Sequence, residues 1–162
     1  MKTSKAYFAA GCFWGVEYYF QKQSGVLSTT VGFMGGSFDS PSYEDVCNLE
    51  TGHAEVVEVE FDSKKVSFEE LAKLFFEIHD FEDPGGQGPD RGSQYRSEIF
   101  VVDSAQEEIS KSLVQKLVGS GYKVATKITN AGKFWQAEDY HQDYYSKNGS
   151  TPYCHFRRKI FN

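Results

Sequence analysis

The chain has 162 residues, 40% hydrophobic and 25% charged, which suits one folded unit with a sizeable core. Its net charge of -6 argues against a general nucleic-acid binder, and Arg157-Arg158-Lys159 is too short a basic cluster to change that. No apolar stretch approaches the roughly 20 residues of a membrane span, so no membrane association is expected.

The N-terminus carries Lys2 and Lys5 and then Phe8-Ala9-Ala10-Gly11-Cys12, a faint echo of a lipoprotein signal. The apolar part before Cys12 is shorter than the ~7–15 residues of a secretory signal, and an odd number of cysteines without a disulfide pattern makes a reducing cytoplasm the expected home. Residues 5–9 read as a strand and 13–22 as a helix. Residues 26–33, rich in Val and Thr, read as a second strand. Residues 34–52 read as a long loop with Gly35-Gly36 and Pro41. Residues 54–61 alternate, with Val57, Val59 and Phe61 on one face and Glu58 and Glu60 on the other.

A capping box at Ser67 and Glu70 opens a helix with an apolar stripe of Phe68, Leu71, Ala72, Phe75 and Ile78. Residues 83–93 hold four glycines and two prolines and read as a second long loop. A strand follows over 98–102. Ser104 and Glu107 then cap a helix to about Val118, with Ile109, Leu113, Leu117 and Val118 inward. Residues 123–129 read as a strand and 137–147 as a last helix, stopped by Asn148-Gly149 and Pro152. The tail from about 148 is expected to be irregular. The order βαββαβ, then αβα, predicts an α+β two-layer sandwich on a ferredoxin-like split βαβ core with a mixed or antiparallel sheet. Residues 1–162 are expected to form a single catalytic domain.

The chemistry-bearing residues stand out against this frame. Cys12, in Gly11-Cys12-Phe13-Trp14-Gly15, falls at a strand-to-helix junction. A helix N-terminus favours thiolate, so the expected thiol pKa is lowered there. Glu55 shares by parity the apolar face of Val57, Val59 and Phe61. There it is either a carboxyl of raised pKa, suited to a general acid, or a residue turned to solvent by a register slip. Gly88-Pro89-Asp90-Arg91-Gly92-Ser93-Gln94-Tyr95-Arg96-Ser97 is polar enough for a site and equally for a surface turn. Tyr43 can donate a hydrogen bond into a cleft or pack over the core. Phe13 and Trp14 are either core or the walls of an apolar pocket. The three cysteines, at positions 12, 47 and 154, fit neither a disulfide framework nor a zinc pattern. Cys47 reads as structural. Cys154, in Tyr153-Cys154-His155, is either packed beside aromatics or a tail thiol able to reach another cysteine.

Four motifs then combine: Gly-Cys-Phe-Trp-Gly from 11, Gly-His-Ala-Glu-Val-Val from 52, Asp-x-Gly-x-Gln-Tyr-Arg-Ser from 90 and Ala-Glu-Asp-Tyr-His-Gln from 137. In this order, through nearly the whole chain, they resemble the A-type peptide-methionine sulfoxide reductases. The resemblance implies reduction of the S epimer of methionine sulfoxide, free or in proteins. It implies Cys12 as nucleophile and Glu55 as the acid that protonates the sulfoxide oxygen, helped by the hydroxyls of Tyr43 and Tyr95. Phe13 and Trp14 would hold the substrate's S-methyl group, and Asp90 and His141 would shape the site or hold substrate backbone. The sulfenic acid on Cys12 would condense with Cys154, and thioredoxin or a similar dithiol would reset the disulfide. No metal or organic cofactor is called for, and a monomer is expected. Many members carry two cysteines in a glycine-rich tail, whereas here only Cys154 is present. Without its reach, external thiols would reduce the sulfenic acid directly. The competing readings are a cysteine hydrolase or transferase using Cys12 with His53 or His141, and a methionine-sulfoxide binding module without turnover.

Overall fold

The computed structural model describes residues 3–37, 39–48, 51–88, 90–148, 155 and 157–161. A six-stranded sheet, ordered β7-β6-β1-β3-β2-β8, forms its centre. The strands are β1 (Thr3–Ala10), β2 (Val26–Met34), β3 (Ala54–Asp62), β6 (Ser97–Val101), β7 (Lys127–Asn130) and β8 (Trp135–Gln136). A small hairpin of β4 (Gly86–Gln87) and β5 (Asp90–Arg91) stands apart from it. The helices are α1 (Phe13–Gln21), α2 (Tyr43–Asn48), α3 (Phe68–Glu77), α4 (Ser104–Gly119) and α5 (Tyr144–Asn148).

The four inner strands, β6-β1-β3-β2, pair antiparallel throughout, in the order a split βαβ unit requires. The expected α+β class and ferredoxin-like core are borne out. The mixed character comes from the edges, where β7 runs parallel to β6 and β8 caps the other side antiparallel to β2.

Strand parity divides the sheet into two faces. Ala6, Phe8, Val57, Val59, Val31 and Ile99 meet Val16 and Phe20 of α1, Leu71 and Phe75 of α3, and Leu113 and Leu117 of α4 in the main core. Ala9, Met34, Val56 and Phe100 form a smaller cluster on the opposite face, under Tyr7, Ala131 and Phe134. Helix α3 starts where its capping box placed it, because Ser67 accepts the N–H of Glu70 at 3.1 Å.

Several expectations needed correction. The stretch 34–52 is not all loop, because α2 forms within it. Ser42 and Asp45 cap α2 reciprocally, each side chain taking the other's backbone N–H at 3.0 Å. The second loop contains the β4–β5 hairpin and a 3-10 turn at Ser93–Tyr95. Helix α4 is capped by Asp103, one residue earlier than expected, since Asp103 accepts the N–H of Gln106 at 2.8 Å. Val118 is 56% exposed rather than inward. It follows Leu117 by about 100° of helical rotation, off the stripe that Leu113 and Leu117 share. The strand expected over 123–129 is only Lys127–Asn130. The last helix, expected over 137–147, is instead a 3-10 turn at Asp139–His141 and the short α5, and the unforeseen strand β8 precedes them. Asp143 breaks the helix with φ 54, and the Gln142 side chain bonds the backbone of Val31 instead of continuing a helix.

Candidate active site

The main candidate residues converge at the end of the sheet where β1 runs into α1. Gly11 makes the turn with φ +96, a conformation glycine adopts without strain. Cys12 is the N-cap of α1, with its backbone oxygen accepting from the N–H groups of Gly15 and Val16. Its thiol is only 6% exposed. The N–H groups of Trp14 and Gly15 favour thiolate, but burial, followed by the negative charges of Glu55 and Asp90, wins and holds the thiol well above its ordinary value. The expected lowering by the helix N-terminus is therefore corrected: desolvation and a carboxylate neighbour outweigh it.

Glu55 enters from β3. The register Phe8↔Val57, continued towards the end of β1, brings Glu55 level with Ala10, just before the Cys12 turn. The parity reading holds, and the slip alternative is excluded: Glu55 is 1% exposed. Its Oε1 accepts the N–H of Phe13, the first residue of α1, at 3.2 Å. Among the described residues, its buried Oε2 has no hydrogen-bond partner. Burial raises the carboxyl to about 8, with Asp90 adding to the effect and the Phe13 N–H opposing it. At neutral pH the site therefore holds a thiol and a largely protonated acid side by side.

Two phenols complete this cluster. Burial and the charge on Glu55 raise both Tyr43, at the start of α2, and Tyr95, in the 3-10 turn before β6. Tyr95 also feels the charges of Cys47, Asp90 and Cys12. Cys47 is exposed and shares a hydrogen bond with Tyr43. Its hydrogen bond to Tyr43 places it beside the phenol of this cluster.

Asp90 is carried in by the β4–β5 hairpin. Gln87 fixes that hairpin twice to Asp80, accepting its N–H at 2.7 Å and donating to its carbonyl at 2.6 Å. The Gln87 side chain also lies against Gly11, where an added Cβ would stand 2.6 Å from Gln87 Cγ.

An aromatic wall closes the other side. Phe13 is fully buried between Phe33, Tyr43 and His141, with ring centroids 5.6–5.9 Å away. Trp14 is only partly buried. It stacks on Tyr144 at 3.9 Å, on His141 at 5.5 Å and on Tyr43 at 5.9 Å. Its indole N–H donates to His141 Nδ1 at 3.1 Å. An indole only donates, so His141 must accept at Nδ1, and burial lowers its pKa to keep it neutral. That bond occupies the nitrogen a Cys–His dyad might use, and His53 Nδ1 accepts the N–H of Gly36 at 3.0 Å. Neither geometry favours the hydrolase reading. Among the described residues, no three His, Cys, Asp or Glu side chains converge as a metal site requires.

Similarity to known proteins agrees with this geometry. The family profile for peptide methionine sulfoxide reductase matches residues 4–162. The chain belongs to that family. The peptide methionine sulfoxide reductase MsrA of Geobacter metallireducens is 49% identical over 151 residues, covering 91% of this chain and 93% of the relative. Reduced Mxr1 from Saccharomyces cerevisiae superposes with a TM-score of 0.90 at 37% identity, covering 98% of this chain and 93% of Mxr1. Mxr1 in complex with Trx2 matches with a TM-score of 0.65 at 26% identity, over 98% of this chain and 91% of that one.

The structure of this reductase also brings in residues that motif spacing did not single out. Tyr144 covers the indole of Trp14. His155 is buried beneath the Cys12 turn, its Nε2 at 2.6 Å from the Ala10 carbonyl and its own carbonyl accepting from Tyr19 at 3.1 Å. Gly15 is glycine because a Cβ there would stand 2.2 Å from His155 Nδ1. The glycine at 15 was the available signal, but its partner lies 140 residues away. Cys154 lies outside the described residues, immediately before this anchored histidine.

Proposed function

We propose that this reductase reduces the S epimer of methionine sulfoxide, free or in proteins, with Cys12 as nucleophile and Glu55 as acid. The observation that carries the reading is the buried Glu55 carboxyl beside Cys12, with one oxygen held by α1 and the other unpartnered among the described residues. A sulfoxide sulfur is a poor electrophile until its oxygen takes a proton. An acid that stays protonated to about pH 8 supplies one at neutral pH. Tyr43 and Tyr95, raised phenols facing the same carboxyl, donate to the same oxygen.

The proton inventory closes. Glu55 gives its proton to the sulfoxide oxygen and receives the thiol proton of Cys12 as sulfur attacks. The S–O bond of the substrate breaks, the oxygen passes to Cys12 as sulfenic acid, and methionine leaves. The Cys154 thiol then attacks the Cys12 sulfur, expelling water and forming a disulfide, and a dithiol such as thioredoxin reduces that bond by exchange. The burial of His155 under the Cys12 turn supports Cys154 as the resolving thiol, since it is the next residue in the chain. Phe13 and Trp14 hold the S-methyl group, and Asp90 and His141 shape the pocket. The reductase acts as a single catalytic domain, as a cytoplasmic monomer without a bound cofactor. Among the described residues no helix is long and apolar enough to cross a membrane.

The test is intact-mass and peptide mass spectrometry after one equivalent of methionine sulfoxide. A loss of two hydrogens mapped to a Cys12–Cys154 link supports the scheme. A product without any Cys12 oxidation refutes it, and methionine formation by Cys12→Ser would do the same.

A further inference from the structure

Glu17 is a buried acid for which the reaction scheme above has no task. It lies one turn beyond Phe13 on α1 and is 1% exposed. Its Oε2 accepts from the Thr29 hydroxyl at 2.9 Å, and its Oε1 accepts the backbone N–H of Asp143 at 2.8 Å. Asp143 has φ 54, a costly conformation for a residue other than glycine, so the surrounding contacts must hold it. Beside it, the Gln142 amide accepts the N–H of Val31 at 2.8 Å and donates to the Val31 carbonyl at 2.9 Å.

The residues on either side of that pinned segment are the ones that hold Trp14. Tyr144 stacks on the indole with rings 9° from parallel, and His141 takes its N–H. The reacting groups are held by different contacts, Glu55 by the Phe13 N–H and Cys12 by the first turn of α1.

We propose that Glu17 is a positioning residue for substrate affinity: by fixing the Asp143 backbone it seats Tyr144 and His141 against Trp14 and so sets the shape of the methyl-binding wall. This rests on the reading of Phe13 and Trp14 as that wall. The role falls on binding and not on the chemical step, because the carboxylate reaches neither Cys12 nor Glu55 through any contact described above.

The experiment is single-turnover methionine formation against sulfoxide concentration, which separates half-saturation from limiting rate. Glu17→Met keeps the volume and loses the acceptor. It is expected to raise half-saturation roughly tenfold, through loss of the hydrogen bond that holds the Asp143 backbone, with the limiting rate within about twofold of wild type. Glu17→Gln can accept from Asp143 and donate to Thr29, and is expected to stay within about threefold. Tyr144→Leu is expected to raise half-saturation by a similar factor. The double variant Glu17→Met, Tyr144→Leu should be no worse than the poorer single, since both act through one wall. Glu17→Asp, one methylene short of Asp143, is run in parallel in case Glu17→Met does not fold, and at least a threefold rise is expected. An unchanged half-saturation in these variants, a loss confined to the limiting rate, or fully multiplicative effects with Tyr144→Leu would overturn the proposal. Trp14→Ala separates the two levels. If it raises half-saturation while Glu17→Met does not, the wall stands and Glu17's role falls; if it changes nothing, the wall reading itself fails.

Discussion

Replacing Glu55 by Gln changes a titration while keeping the shape of the side chain, and its effect on stability can be worked out in advance. The carboxyl moves from its ordinary 4.5 to about 8 in the fold, chiefly by burial. Between those two values the folded chain keeps a proton that the unfolded chain has lost. Stability therefore falls as pH rises through that window: this carboxyl's contribution is whole below 4.5 and gone above about 8. At ~1.4 kcal/mol per pH unit, the interval is worth about 5 kcal/mol, an order-of-magnitude figure and a large share of a typical domain's 5–15 kcal/mol. Gln carries no proton to lose, and its amide oxygen can still accept the Phe13 N–H.

The assay is urea denaturation of both proteins, under reducing conditions, in steps from pH 5 to pH 9. The two stabilities should nearly coincide at the acid end, and Glu55→Gln should be the more stable by several kcal/mol at pH 9. Glu17, raised to about 7, gives a slope of the same sign over a narrower range, but it is present in both proteins and cancels in the difference. Parallel curves for the two proteins would refute the claim that burial raises the Glu55 carboxyl. The same variant should slow single-turnover reduction by roughly 10²–10⁴, the usual worth of a general acid, while binding substrate normally.

Other consequences follow from the same geometry. Gly15→Ala drives a methyl group into His155 and displaces its ring from Ala10, so a destabilisation of about 1–2 kcal/mol is expected by urea denaturation, after the modest helical gain of alanine. Adding His155→Ala should restore part of that loss, and a further loss would contradict the packing account. Cys154→Ser should release one equivalent of methionine per enzyme and then stall with thioredoxin as reductant; sustained cycling would assign the resolving role elsewhere. Trp14→Phe removes the indole N–H from His141 and should raise half-saturation several-fold with an unchanged limiting rate, read in the same single-turnover series.

The parts of this molecule legible from sequence were those fixed by local period and local capping. Alternation over β3 placed Glu55 on the buried face, and the Ser67 cap placed the start of α3. The order of strands and helices was enough for the four-stranded split βαβ core, because short connections leave few arrangements for it. What escaped was decided by distant partners. The stretch 137–147 has helical spacing, yet Gln142 spends its side chain on the backbone of β2 and Asp143 gives its N–H to Glu17. Helix α2 is too short to show a period, and its reciprocal Ser42–Asp45 cap was the signal available. The nucleophile's environment was misjudged for a similar reason. The helix N-terminus is visible in the motif, but the burial that outweighs it, with Glu55 adding to it, is set by the packing of distant segments.

That last point bears on the chemistry. The first turn of α1 serves two groups at once: the Phe13 N–H points at Glu55, and those of Trp14 and Gly15 point at Cys12. Burial first, and then the charge on Glu55, raises the thiol, and neither residue is more than 6% exposed. The site accordingly resists holding two negative charges. In the resting state this keeps the thiol unreactive towards stray oxidants, since the thiolate is the nucleophile. In the proposed reaction the sulfoxide oxygen takes the Glu55 proton, the carboxylate left behind would be the base beside the thiol, and proton donation and thiolate formation would become a single exchange. With Cys12 in its proposed role, the raised values of both groups are what a nucleophile that ionises only with its substrate in place requires.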